Sequence, residues 1–99
     1  MANPSVHKGH RERLKARFLE TGLDSFTDVQ ALELLLFYAI PQKDTNPIAH
    51  ALLDRFGSLS QVLDAPLEAL KKVPGISDHS ASLLRLVTEL ARFYQVDSA

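Results

Sequence analysis

Apolar residues recur along this chain at three- and four-residue spacing, and no segment sustains the apolar–polar alternation of a half-buried strand. The first helix falls on "GHRERLKARFLETG", where Leu14 and Phe18 lie one turn apart among basic residues and Gly22 supplies a C-terminal stop. A second occupies "SFTDVQALELLLFYAIP". Thr27 and Gln30 have capping-box spacing, Pro41 closes the segment, and Val29, Leu32, Leu35 and Leu36 share a face. Its additional apolar residues predict burial on more than one side. "TNPIAHALLDRFG" reads as a third helix, with Asn46 as N-cap, Pro47 at the first helical position and Gly57 just past the end. "SLSQVLDA" opens on another capping pair, Ser58 and Gln61, and "PLEALKKV" carries Pro66 in its first turn. The last helix runs from about Asp78 to Tyr94, with Leu83, Leu84, Val87, Leu90, Ala91 and Tyr94 as its apolar stripe. Six helices with short connections predict a compact all-α bundle. A weak internal repeat lies within it: "AIPQKDTNPIAHALLDRF" and "KVPGISDHSASLLRLV" both run from an apolar-Pro pair through turn residues into a helix with paired leucines.

Composition adds constraints. A chain of 99 residues with 45% hydrophobic and 23% charged residues fits one globular domain rather than a disordered segment. The absence of cysteine excludes disulfides, thiolate metal sites and cysteine nucleophiles, and fits a reducing, cytoplasmic setting. The N-terminus "MANPSVHKGHRERLK" has no apolar signal-peptide core. The most apolar run, "ALELLLFYAI", is too short to span a bilayer and contains Glu33, so no membrane partner is expected. The net charge of −1 conceals asymmetry. Lys8, Arg11, Arg13, Lys15 and Arg17 face only Glu12 and Glu20 within the first twenty residues, whereas the remainder is mildly acidic. A local basic patch is therefore supported, and a global polyanion-binding surface is not.

The chemistry concentrates in "LKKVPGISDHSASLL", Leu70 to Leu84. Gly75 lies where a left-handed backbone is cheap for glycine, and Val73 and Ile76 can plug the turn into the core. The amides of Gly75, Ile76 and Ser77 can converge ahead of the last helix and suit a phosphate oxygen, with Lys71 and Lys72 supplying attraction. The same residues could equally form only a corner between two helices, with the lysines capping a helix end. Ser77 and Asp78 weaken the phosphate reading, because a carboxylate at the helix start competes for the same place. Arg11, Lys15 and Lys8 share one face of the first helix, and Arg13 and Arg17 another; either could be a solvated face or track a nucleic-acid backbone.

"LKKVPGISDHSASLL" resembles a helix-hairpin-helix motif. The combination of "GHRERL", "ELLLFYAIPQKDTNP" and "LLDRFGSL" resembles, more specifically, the N-terminal domain of the RadC family of bacterial proteins, from about Gly9 to Tyr94. The resemblance implies a tandem helix-hairpin-helix fold of the SAM/RuvA-C-like kind. Its degenerate first hairpin would be residues 41–47, its second hairpin 73–77, its single domain 9–95, and the flanks a flexible N-terminus (1–8) and a tail (96–99). In that family a JAB/MPN-type domain with an H-x-H-P-S-G zinc signature normally follows. This chain contains no such signature, and reads either as a separated N-terminal piece or as a stand-alone variant.

Other chemistry is sparse. His7 and His10 lack a third ligand at suitable spacing, His50 and His79 are isolated, the carboxylates are scattered, and no nucleotide loop or nucleophile motif occurs. Neither enzymatic activity nor a cofactor or metal is expected. The first functional expectation is a weak, sequence-independent DNA-binding and targeting module of a RadC-like repair protein. The amides of Gly75, Ile76 and Ser77 would contact phosphate, assisted by Lys71, Lys72, Lys43, Arg11 and Lys15. The alternative is a helical domain that binds a protein partner, or a missing C-terminal domain, without DNA affinity.

Overall fold

The computed structural model describes residues 4–98, with side chains from Lys8 onward. Six helices follow one another: α1 (Pro4–Thr21), α2 (Asp28–Phe37), α3 (Asn46–Phe56), α4 (Leu59–Asp64), α5 (Leu67–Leu70) and α6 (Asp78–Ser98), with no strand among the described residues. The expected flexible segment 1–8 lies partly outside the described residues, and from Pro4 on the backbone is helical.

The helix starts follow from their caps. The Thr27 hydroxyl accepts from the Gln30 N–H at 3.2 Å, and the Gln30 side-chain oxygen accepts from the Thr27 N–H at 3.1 Å. This box satisfies donors that α2 would otherwise leave open. Thr27→Ala is expected to cost about 1 kcal/mol, a fall of roughly 4–8 °C in melting temperature by circular dichroism. Ser58 caps α4 by accepting from the Gln61 N–H. At α3 the structure corrects the sequence reading. Thr45, not Asn46, is the N-cap residue, and Asn46 is already helical. The Asn46 amide is drawn away to the Glu33 carboxylate at 3.1 Å, while the Asp44 side chain accepts the Asn46 N–H.

Packing runs along the chain: α2 lies on α1 and α3, α3 on α4, and α6 on α4 and α5. α2 is buried on two sides, as its apolar run predicts. Leu32 and Leu36 enter the main core with Ile48, Leu52, Val62, Leu70, Ile76, Ala81 and Leu84. Leu34 and Phe37 turn the other way and form a second cluster with Leu14 of α1, flanked by Phe18 and Phe26.

α6 departs most from expectation. It continues to Ser98, and the outer half of its apolar stripe is not buried: every residue from Leu90 to Ser98 is exposed. Only Ser80, Ala81 and Leu84 of this 21-residue helix are fully buried. The radius of gyration, 13.8 Å, exceeds the ~12.6 Å of a compact chain of this length, consistent with a projecting helix end.

Candidate interaction surfaces

Val73, Pro74, Gly75 and Ile76 form a type II turn. The Ile76 N–H donates to the Val73 carbonyl at 3.1 Å, proline holds the second position, and Gly75 takes φ 94° at the third. The Ser77 N–H donates to the Ser80 Oγ at 2.9 Å, and the Ser80 N–H returns to the Ser77 Oγ at 3.4 Å, a reciprocal cap on α6. Two of the three amides expected to hold phosphate thus have internal partners. The exposed Gly75 N–H has none among the described residues.

The lysines beside the turn divide in the same way. Lys71 Nζ lies 2.8 Å from Asp78 Oδ1 and 3.2 Å from Glu68 Oε1. Its hydrogen bonds to Asp78 and then Glu68 hold the ammonium above the ordinary lysine range. Lys71 therefore answers the carboxylate that stood against anion binding, but is itself engaged. Lys72 is exposed, with no ion pair among the described residues.

The basic face of α1 points largely into the protein. The Arg11 guanidinium donates to the carbonyls of Phe37 (3.3 Å), Ile40 (2.7 Å) and Lys43, and lies 4.7 Å from the Phe37 ring centre. It closes the C-terminus of α2 and pins the segment that leads from α2 to α3. Lys15 sits 4.9 Å over the Tyr38 ring, and Arg17 sits 4.2 Å over Phe26 while donating to Gln30. Lys8, Arg13 and Lys43 are exposed. The expected phosphate-binding residues fall into two groups, Lys71 to Ser77 around the turn before α6 and Arg11, Lys15 and Lys43 around the end of α2 and the segment after it.

An accessible surface of different character lies elsewhere. An open groove of about 270 Å³ is walled almost wholly by apolar atoms, from Leu23 after α1, Leu35 of α2 and Tyr38 just after it, Leu59 and Leu63 of α4, and Val87 of α6. Beyond it, α6 exposes Leu86, Leu90, Phe93 and Val96. Soluble monomers seldom leave large apolar side chains clustered in this way without a partner.

Over 84 residues, 44% are identical to a UPF0758 protein of Fusobacterium nucleatum subsp. nucleatum. The chain is homologous to part of a UPF0758 protein. The aligned stretch is 85% of this chain but 36% of the relative, so the chain spans about a third of the relative's length. UPF0758 is a RadC-family name, in agreement with the resemblance read from "GHRERL" and "ELLLFYAIPQKDTNP". No family model and no solved structure matches the chain.

In this UPF0758-like chain the sequence reading missed the role of Glu33. Its carboxylate is buried and meets His10 Nε2 and Asn46 Nδ2, each at 3.1 Å, joining α1, α2 and α3. The signal was available: a lone carboxylate inside "ALELLLFYAI" needs partners. The His7 side chain lies outside the described residues, and with it the His7–His10 pair. Among the described residues no group of three or more His, Asp or Glu could hold a metal ion, and no helix is long and apolar enough to cross a membrane. His50 and His79 are exposed.

Proposed function

We propose that the chain is a non-catalytic helical interaction module whose contacts are with polypeptide rather than nucleic acid. The observation that carries this reading is what is left free on the surface. Leu86, Leu90, Phe93 and the groove beside Val87 are apolar and accessible. The Ile76 and Ser77 amides, Lys71 and Arg11 are already partnered. Donors with internal partners must break those bonds to hold a phosphate, which lowers the gain from each contact.

A second reading, weak and sequence-independent DNA contact at a helix-hairpin-helix, keeps one specific observation in its favour. Gly75, whose N–H has no partner among the described residues, and Lys72 are both exposed, and Asp78 is neutralised by Lys71. Fluorescence anisotropy with labelled single- and double-stranded DNA across a salt series decides between them. The expected result is no binding tighter than about 10⁻⁴ M at physiological salt. Tight binding that falls steeply with salt and is lost in Lys72→Glu would establish the second reading instead.

A further inference from the structure

The α2 wall of the apolar groove is Ala31, Leu34, Leu35 and Tyr38, which recur at three- and four-residue spacing along one face. Ala31 and Tyr38 lie seven residues apart, roughly 10.5 Å of helical rise. Side chains at i, i+4 and i+7 of a second helix span the same distance, so a helix lying along α2 can set three apolar side chains into the groove. A small-molecule site fits less well. The volume of about 270 Å³ falls below the range of such pockets, about 300–1,000 Å³, and the groove is open to solvent rather than wrapped around its contents. The charges at its two ends differ in sign. Lys15 stands at the Tyr38 end, with Nζ 4.9 Å over the ring and no ion pair among the described residues. At the other end exposed Asp24 follows Leu23, and exposed Asp28 lies one turn before Ala31. Neither carboxylate has an ion pair among the described residues.

We propose that the groove binds an amphipathic helix of a partner polypeptide, antiparallel to α2, with apolar residues at i, i+4 and i+7, acidic residues in its first turn and basic residues in its last. The inference rests on the polypeptide-contact reading above and gives the partner its chemistry. A helix is positive at its N-terminus and negative at its C-terminus, so it best carries acids first and bases last. Such a helix matches the groove in one direction. Its acidic first turn meets Lys15 beside Tyr38, and its basic last turn meets Asp24 and Asp28 beside Leu23. Reversed, it would set like charges against each other at both ends, which is how an interface rejects the wrong register.

Two labelled synthetic peptides of about 18 residues test the proposal by fluorescence anisotropy against the whole chain at low salt. Both carry leucines at i, i+4 and i+7; one has glutamates in its first turn and lysines in its last, and the other has these charges exchanged. The first should bind with a Kd on the order of 10⁻⁴ M, as befits a small interface, and at least about fivefold more tightly than the second. Lys15→Glu should abolish that preference. A preference that came only from the helicity of the free peptides would survive this substitution. Ala31→Phe puts a large side chain on the groove wall and should weaken the first peptide at least about tenfold while the helical circular dichroism is kept. Equal affinity for the two peptides, a preference that survives Lys15→Glu, or binding indifferent to Ala31→Phe overturns the proposal. Failure of both peptides to bind overturns the helix as partner and leaves the exposed Leu86 and Phe93 to carry polypeptide contact. Salt-sensitive DNA binding that is lost in Lys72→Glu overturns the reading beneath it.

Discussion

Gly75→Val is expected to remove about 3 kcal/mol of stability and to lower the melting temperature by roughly 12–24 °C. Two effects add. The residue holds φ 94°, a conformation that L side chains rarely adopt. A Cβ there would also stand 2.8 Å from Ile48 Cδ1 and 2.9 Å from Ile48 Cγ1. Ile48 is buried in the main core, so it has little room to retreat. Gly22 isolates the first effect: its φ is 73°, but nothing lies within 4 Å of the position a Cβ would take. Gly22→Ala should therefore cost only about 1 kcal/mol. Thermal melts of the two variants compare them directly. Equal losses would show that the Ile48 contact relaxes and that strain at the turn is the whole effect.

Arg11→Met should cost about 2 kcal/mol, read as a lower urea midpoint at unchanged slope. Methionine keeps the apolar stem against Phe37 but leaves three carbonyls, those of Phe37, Ile40 and Lys43, without their charged donor. Arg11 is half-buried, which places the expected value below the sum of three charge-assisted bonds. Arg11→Lys should recover only part of the loss, because a compact ammonium cannot span carbonyls that the planar guanidinium fork reaches together. Arg11→Met also bears on function. A structural clamp leaves the salt dependence of any DNA binding unchanged, whereas a phosphate contact reduces its slope by about one.

Capping residues and apolar spacing made the helices legible, since both act over a few residues. Thr27 with Gln30, Ser58 with Gln61, and glycine after α3 all signal locally. Asn46 misled because what takes its side chain is Glu33, an earlier helix and not the local backbone. The stripe of α6 was equally legible as apolar, but periodicity gives a face and not its occupant; whether Leu90 and Tyr94 are covered depends on where α4 and α5 end. Arg11 and Lys15 read as a basic face because their targets carry no sequence signal. A backbone carbonyl at Ile40 looks the same from any residue type. The Pro-Gly turn was readable as a turn, while the engagement of the Ser77 amide depended on Ser80 completing the cap.

The division of the interior into two clusters gives the molecule a graded way of opening. α2 is the shared wall: one face belongs to the main core, the other holds α1 through Leu14, Leu34 and Phe37. Releasing α1 exposes only the smaller cluster and leaves the contacts among α3, α4, α5 and α6 in place. The polar ties that resist this release, His10 to Glu33 and Arg11 to the carbonyls after α2, span 23 to 32 residues of chain. They close the longest loops in the α1–α2–α3 region, so forming them carries the largest closure entropy there. α1 thus behaves as a hinged cover, a sub-global unit whose opening frequency is set by an arginine and a buried carboxylate rather than by the main core.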